Sequence, residues 1–446
     1  MQKIPVINTA QIGVRETVDL SILIPVLNEA GNIGHLVKAL DAAARDLDLS
    51  YEILIVDGGS TDDTRQLALA ASPRARIIDQ VELGYGGALV EAFRQSSGRY
   101  ILTMDGDFSH DPMFLPNFWK ARHMGEVVIG SRYVAGGKAS TSIVRKTLSR
   151  ILNVFFSKGL SLAYKDLSSG FRLYRADALK KLQFRSSDFD VLEEIIIKSY
   201  ASGSKVCEIP IYYKPRRSGS SHAKLIKFGI AYLRTFYRMW RLRNSIECAD
   251  YDDRAFDSII PLQRYWQRKR SRIIERFAPQ NCVTLDIGCG SSRILTSKSL
   301  PIGLDIRLNK LRYARKFGRP LVTGSIWNLP FPDAIFDCVI CSEVIEHIEG
   351  GPRPFTEMRR VLKPNGQLIL GTPDYNHRTW LIIEAIYARV APGGYADEHI
   401  THYSLESLTQ ILQKLGFTIL GHDYILNSEL ILNCRLAKQE SASETT

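Results

Sequence analysis

The sequence predicts an α/β protein of two domains, each built on its own mostly parallel sheet. Three observations carry this. Short β-branched runs alternate with helical patterns in two separate blocks, and the runs end in Gly, Asp or Ser turns. The chain has 446 residues, which predicts two or three domains at roughly 100–200 residues each. Its composition, 45% hydrophobic and 24% charged, is that of a folded protein and excludes a disordered chain.

The first block offers strands at Ser21–Pro25, Glu52–Asp57, Ala75–Asp79, Tyr100–Met104 and Val127–Gly130, with helical patterns at Ile33–Leu47 and Thr61–Ala71. Residues Asn244–Asp257 read as a linker. The second block offers strands at Val283–Ile287, Pro301–Asp305, Pro320–Thr323, Phe336–Cys341 and Gln367–Gly371. It closes on an antiparallel pair, Phe417–Tyr424 and Glu429–Arg435, before a Ser/Glu/Thr-rich tail, Gln439–Thr446. The two blocks carry different motifs and are not an internal repeat. The domains expected are therefore 19–224, a connecting basic segment 225–257, and 258–438.

Seven cysteines in this length do not form a disulfide scaffold. The one Cys-x-x-Cys, Cys338–Cys341, lies in an apolar run without a second pair, so buried reduced thiols are expected rather than zinc. Met1–Asp19 has no apolar signal-peptide core, and no uncharged apolar stretch reaches 18 residues. A cytoplasmic protein, peripheral at a membrane surface, is the expectation.

In open α/β sheets ligands gather at the carboxyl ends of strands. In the first block three strands end in polar motifs: Val26-Leu27-Asn28-Glu29, Asp57-Gly58-Gly59-Ser60-Thr61-Asp62, and Asp105-Gly106-Asp107-Phe108-Ser109-His110. Two carboxylates one residue apart, Asp105 and Asp107, suit a hard divalent cation shared with substrate phosphates, although such a pair alone is usually a surface turn. The ordered set extends to Gly84-Tyr85-Gly86-Gly87, Gly130-Ser131-Arg132-Tyr133, Ser168-Ser169-Gly170-Phe171-Arg172 and Arg216-Arg217-Ser218-Gly219-Ser220-Ser221.

Asp19–Lys224, on those motifs, resembles family 2 glycosyltransferases of the GT-A fold, in particular the dolichol- and polyprenyl-phosphate sugar transferases. The resemblance implies that Pro25, Glu29 and Asp57 surround the nucleotide of a nucleotide-sugar, with Asp105 at its diphosphate. It implies Mg²⁺ or Mn²⁺ on Asp105 and Asp107, with Ser109 as a further candidate ligand. Arg132 and Arg150 would face the acceptor phosphate, and the Gly84–Gly87 turn would admit the nucleotide. Gly58 stands where many relatives have Asp, and Ser109 where some have Gln. A lipid phosphate is already ionised at pH 7 and needs no strong base, whereas a hydroxyl acceptor would. Glu193 and Glu194 are the base candidates for that alternative.

The net charge of +11 calls for an anionic partner. Nine Lys/Arg and no Asp/Glu fall in Ile209–Ile246, which leaves +2 for the rest of the chain. From Lys224 to Arg243 basic residues recur at helical spacing among aromatics, as in helices that lie on membrane surfaces. A phosphorylated lipid is thus favoured over nucleic acid as partner.

In the second block, strand Val283–Ile287 runs into Gly288-Cys289-Gly290, and Asp305 ends the next strand. Such a turn lets a ligand approach backbone, and such a carboxylate can accept from ribose hydroxyls. Arg293 occupies the place of the third glycine of a dinucleotide fingerprint, which argues against NAD. With Gly324-Ser325-Ile326-Trp327, Ser342-Glu343-Val344-Ile345-Glu346-His347 and Leu362-Lys363-Pro364-Asn365-Gly366, Ala255–Arg435 resembles class I S-adenosylmethionine-dependent methyltransferases, a Rossmann-like fold with an antiparallel last strand. By resemblance Asp286, Gly288 and Gly290 surround the methionine part, Asp305 holds the ribose, and Ser325 and Ile326 lie by the adenine. His347 and His402 are base candidates. Glu343, Glu346, His347 and His399 are similar to the metal set of some RNA- and quinone-type O-methyltransferases. Helix Leu262–Phe277 is placed to cover an acceptor site or to be a solvated basic face. The resulting expectation is a bifunctional enzyme: sugar transfer to polyprenyl phosphate, and methylation of a glycan, lipid or related small molecule. Its rivals are sugar transfer to a hydroxyl in surface polysaccharide synthesis, and an RNA-binding methyltransferase.

Overall fold

The computed structural model describes residues 17–215, 225–299, 301–390 and 399–437. The motif Arg216–Ser221 and the tail Gln439–Thr446 lie outside them. The chain divides into two compact units, one of Met1–Tyr200 and Ser204–Trp240, the other of Ala201–Gly203 and Arg241–Thr446.

The first unit holds β1 (Leu20–Val26), β2 (Tyr51–Asp57), β3 (Ala75–Asp79), β4 (Tyr100–Thr103), β5 (Val127–Ser131), β6 (Lys138–Ala139), β7 (Arg172–Arg175), β8 (Val206–Pro210) and β9 (Tyr212–Tyr213). Seven strands form one sheet in the order β3-β2-β1-β4-β7-β5-β8, and β6 and β9 pair separately. Strand β1 is a continuous apolar run because both of its faces are buried, as parallel central strands require. Register sets the site. Pro25 lies opposite Val56, and Leu23 opposite Thr103, so Pro25, Asp57 and Asp105 emerge together at one carboxyl edge.

Strand β7 runs antiparallel between β4 and β5 and was not expected. Its sequence, Arg-Leu-Tyr-Arg, carries a charge at each end and reads as a loop. Arg172 is nonetheless fully buried, donating to the Leu167 and Leu192 carbonyls. Carbonyl oxygens thus replace the water that a guanidinium loses on burial.

The second unit holds β10 (Thr284–Ile287), β11 (Ile302–Asp305), β12 (Leu321–Thr323), β13 (Phe336–Ser342), β14 (Leu362–Pro373), β15 (Phe417–Ile425) and β16 (Glu429–Leu436). Their order is β12-β11-β10-β13-β14-β16-β15, with β16 antiparallel to both neighbours. Ile287 lies opposite Leu304 and Cys341, so Gly288, Asp305 and Ser342 are level at the carboxyl edge. Antiparallel β16 begins where β14 ends: Glu429 pairs with Pro373 and arrives at that same edge. Cys338 and Cys341 are free, buried thiols on β13.

The connecting segment departs from a simple basic linker. Helix Leu225–Arg243 belongs to the first unit as far as Trp240, with Thr235 and Met239 buried. The expected linker contains a helix, Tyr251–Phe256, built into the second unit. Arg243 is fully buried there in a two-pronged pair with Asp250, at 2.5 and 2.9 Å. The basic run is therefore partly internal structure and not all surface charge.

Candidate functional sites

In the first unit the loops after β1 and β2 are stitched together. The Asn28 N–H donates to Ser60 Oγ at 2.9 Å, and the Thr61 N–H to Asn28 Oδ1 at 2.8 Å. Asn28 takes a left-handed φ of 55° to do so, and the Glu29 N–H donates to Thr64 Oγ1 at 2.8 Å. Asp57 is buried, accepts from the Ser60 N–H at 3.1 Å and pairs with Arg65 at 3.1 Å. Pro25, Glu29 and Asp57 are thus assembled at one end of the sheet.

At the end of β4, Asp105 keeps 30% of its side chain exposed. Tyr85 Oη donates to its Oδ1 at 3.1 Å. The Asp105 N–H donates to His110 Nδ1 at 3.1 Å, which assigns that nitrogen as an acceptor. His110 is buried, stacks on Phe171 at 5.0 Å, and is pushed toward neutrality by burial. Burial likewise raises the Asp105 carboxyl above the ordinary carboxylate range. Asp107 is buried and accepts from the Ser109 N–H at 3.0 Å. Phe108 between them takes φ 63°, a backbone conformation that bulky residues rarely adopt. Two carboxylates on a tight turn, with burial disfavouring the charge of Asp105, fit a divalent cation that would restore that charge. Ser109 has no exposed surface, so of the three expected ligands it is the least open to an ion.

Two glycine features refine the expected roles. A Cβ on Gly170 would lie 2.8 Å from Tyr85 Oη and 3.0 Å from Asp105 Oδ1, so glycine here makes room for that pair. The Gly84–Gly87 turn, expected to admit the nucleotide, is filled by the chain itself. A Cβ would come within 2.3 Å of the Ser187 carbonyl at Gly84, 2.4 Å of the Ser186 carbonyl at Gly86, and 2.1 Å of the Glu82 carbonyl at Gly87.

Arg132 follows β5 and is gripped by fully buried Asp166, at 2.8 and 2.6 Å, while its Nη2 also donates to Ser168 at 2.9 Å. Exposed Arg150, on helix Ile143–Gly159, reaches the same aromatic ring: the guanidinium carbons of Arg132 and Arg150 lie 5.3 and 5.9 Å from the Tyr133 centroid. The structure brings the two arginines together, but half-buried Arg132 already carries a carboxylate partner.

Neither expected base stands open. Glu194 is buried and accepts from the Ser186 N–H at 2.8 Å, and it pairs with Lys198 at 2.6 Å. Glu193 is fully buried, and burial pushes its carboxyl up to about 8 against the nearby charge of Arg172. A glutamate unfolds to a pKa near about 4.3. Between that value and about 8 the unfolded chain releases a proton that the folded unit keeps. Stability is fully present below the lower value and falls as pH rises, by about 1.4 kcal/mol per pH unit, levelling off above the upper one. Glu193→Gln should therefore flatten the fall in the first unit's denaturant midpoint between pH 5 and 8, and exceed wild type at the alkaline end. Parallel curves for the two proteins would refute this.

In the second unit Asp286, Gly288, Gly290, Asp305, Ser325, Ile326 and His347 all line one cavity of about 610 Å³. Gly288 and Gly290 take φ of 68° and 52°. Asp305 accepts from the Gly290 N–H and the Arg307 N–H, each at 2.7 Å, which pins the glycine turn to the end of β11. Asp286 is buried and its Oδ2 has no hydrogen-bond partner. Burial and then the charge of Asp305 hold its carboxyl well above the ordinary range. An orphaned buried carboxyl above a glycine turn fits S-adenosylmethionine, which carries an ammonium and a sulfonium.

His402 does not share this cavity; it is exposed and stacks on Tyr375 with centroids 3.9 Å apart. Helix Pro261–Phe277 does reach the cavity, through Gln267 and Arg270. Arg270 binds Glu429 at 2.6 and 2.8 Å and Glu343 at 3.1 Å. Asp252 is a lining residue that sequence reasoning missed. It accepts from the Ser291 N–H at 3.0 Å and from buried Lys310 at 2.9 Å. Despite burial, the Lys310 charge holds its carboxyl below the usual range. Its only sequence signal is Asp252-Asp253 opening a short helix, which looked like a solvated linker.

Comparison with known proteins follows this division. Residues 21–183 match the model of glycosyl transferase family 2, and residues 285–370 match a methyltransferase domain. A dolichol-phosphate mannosyltransferase of Pyrococcus furiosus is 32% identical over 237 residues, 51% of this chain and 65% of that protein. An undecaprenyl-phosphate 4-deoxy-4-formamido-L-arabinose transferase of Yersinia enterocolitica is 29% identical over 216 residues, 47% of this chain and 63% of that protein. The chain thus spans just under two thirds of the length of these relatives. A solved S-adenosylmethionine-dependent methyltransferase of Thermotoga maritima aligns at 20% identity over 41% of this chain and 93% of its own, with a TM-score of 0.36. The chain joins a segment that matches glycosyl transferase family 2 to a segment that matches a methyltransferase domain.

Proposed function

We propose that the first unit transfers a sugar from a nucleotide-sugar to a polyprenyl phosphate at a cytoplasmic membrane surface, and that the second unit methylates a hydroxyl of a glycan or lipid. The carrying observation is the shared edge that holds Pro25, Asp57 and Asp105 in one unit, with Arg132 and Arg150 against Tyr133. A divalent ion on Asp105 and Asp107 would stabilise the charge that develops on a departing nucleoside diphosphate. The chain's own part is to orient. Tyr85 and His110 fix Asp105, the stitched β1 and β2 loops fix Glu29 and Asp57, and the arginine pair offers positive charge to a phosphate acceptor. The burial of Glu193 and Glu194 favours an acceptor that is already ionised over a hydroxyl.

A pair of helices, one of them beside Tyr133, supports a membrane surface. Helix Ile143–Gly159 packs on helix Leu225–Arg243 through Phe155 and Phe236, with centroids 4.2 Å apart. Outward they present Leu148, Ile151, Leu233, Tyr237 and Trp240, with exposed Arg150 and Arg234 among them. No helix among the described residues is long and apolar enough to cross a membrane. An apolar face ringed by arginine suits insertion at an anionic interface. Ile151→Glu with Leu233→Glu should cut co-sedimentation with anionic vesicles at least about tenfold, since each buried aliphatic side chain is worth roughly 1.5–3 kcal/mol. Undiminished vesicle binding would remove the membrane from the reading.

The decisive assay is incorporation of radiolabelled sugar into a butanol-extractable, mild-acid-labile lipid, with UDP- and GDP-sugars as donors. A water-soluble labelled product alone would replace lipid phosphate by a hydroxyl acceptor.

A further inference from the structure

We propose that the second unit docks on an anionic lipid surface through the first turns of helices Pro261–Phe277 and Arg378–Val390, and that its methyl acceptor enters the cavity from that surface. The second clause rests on the methyltransferase reading; the first does not.

Helix Pro261–Phe277 is longer than the core it covers. Its inward stripe, Leu262, Trp266, Arg270, Ile273 and Phe277, recurs at helical spacing. At the far end Ile273 and Ile274 are buried, with Trp266 and Phe277 packed against the same core. At the near end the stripe runs out beyond that core. Leu262 is exposed, and of the two residues that precede Pro261, Ile260 is exposed and Ile259 is 93% exposed. A second helix brings the same feature to this place. Trp380, on helix Arg378–Val390, meets Trp266 with ring centroids 6.3 Å apart. The next two residues, Leu381 and Ile382, are exposed. Single apolar side chains on a surface are ordinary. These fall on two helix ends joined by a tryptophan pair, and such a grouping marks an interaction surface.

Charge selects the occupant. Between Pro261 and Phe277 there are six basic residues and one acidic, Glu275. Tyr265, Lys269, Arg272 and Arg276 follow one another at helical spacing, which sets them along one flank of the apolar stripe. A second copy of the chain, docked by two-fold symmetry, would set this basic flank against itself. Anionic headgroups above acyl chains satisfy flank and stripe together, and a tyrosine suits the boundary between them.

The same surface is continuous with the cavity. Gln267 and Arg270 line the cavity from helix Pro261–Phe277. Trp380 stacks on His399 with centroids 5.7 Å apart, and the next residue, Ile400, also lines the cavity while 64% exposed. The Ile400 N–H donates to the Glu346 carbonyl at 2.8 Å, which fixes that residue at the rim. An amphiphile fits this layout: its chain stays in the bilayer while its polar head enters beside Asp286 and Gly288.

The test is hydrogen–deuterium exchange of the full chain with vesicles of phosphatidylglycerol or of phosphatidylcholine, which reads each segment separately. Peptides covering residues 258–268 and 378–385 should exchange at least about fivefold more slowly with phosphatidylglycerol and at an unchanged rate with phosphatidylcholine. Ile259→Glu with Ile382→Glu should remove that protection while S-adenosylmethionine still binds calorimetrically. No slowing with phosphatidylglycerol would overturn the surface, and so would equal slowing with both lipids. Slowing that grows with protein concentration in the absence of vesicles would assign the face to a second copy and overturn it as well. Protection by phosphatidylglycerol alone, in a chain that binds no S-adenosylmethionine, would uphold the surface and discard the methyltransferase reading instead.

Discussion

Asp105→Asn should lower sugar transfer about a thousandfold while methyl transfer stays at the wild-type rate. The substitution keeps the side chain's size and leaves an oxygen for Tyr85 Oη, which lies 3.1 Å from Oδ1. The fold of the turn is therefore preserved. What disappears is the negative charge that would hold a divalent ion, and with it the stabilisation of a diphosphate leaving group. A thousandfold loss corresponds to about 4 kcal/mol of barrier, the scale of removing one electrostatic contact to developing charge. Radiolabel transfer with Mn²⁺ titrated over several decades gives both kcat and metal affinity. Transfer within tenfold of wild type at saturating Mn²⁺ would refute the role of Asp105. The methyl-transfer control matters because the two domains occupy separate units of the chain.

The second large effect concerns Asp286. Burial, reinforced by Asp305, keeps this carboxyl protonated well beyond the ordinary range, and its Oδ2 is unbonded. A ligand carrying an ammonium and a sulfonium would lower that pKa on arrival. Binding should therefore expel a proton, and affinity should rise with pH until the empty site is itself ionised. Calorimetry in two buffers of different ionisation enthalpy would read the release directly. Asp286→Asn should abolish this release and weaken S-adenosylmethionine binding about a hundredfold. Identical apparent enthalpies for the wild type in both buffers would contradict the argument. Sugar transfer should not respond.

Both probes fall on residues that were legible without coordinates. Asp105 follows an apolar strand and Asp286 sits one residue before the end of another, and parallel strands bring such residues to a common edge. What could not be read came from positions where tertiary contacts overrule local pattern. Arg172 sits in a strand because carbonyls of distant segments receive its guanidinium, and no local signal announces them. Asp252 looked like part of a polar linker because its partners, Ser291 and Lys310, lie 39 and 58 residues away. Glu429 joins Arg270 only because the antiparallel strand starts where its neighbour ends, a fact of register rather than of sequence. The glycines of 84–87 were legible as a close-packing element, although they start a helix with Gly84 at its N-cap rather than form a tight turn. Their neighbour was not, since the same permissiveness serves a ligand or the chain's own backbone.

That neighbour bears on how the first unit can be re-engineered. Gly84 and Gly86 leave no room for a methyl group against the Ser186 and Ser187 carbonyls, and the Gly86 N–H donates to Ser187 at 2.9 Å. The two segments are about a hundred residues apart in sequence yet interlock like a key and its ward. Donor or acceptor specificity transplanted from a relative by exchanging either loop alone would force mismatched backbones together. Chimeras should be drawn so that residues 82–87 and 184–190 travel as a pair, and libraries should vary them jointly.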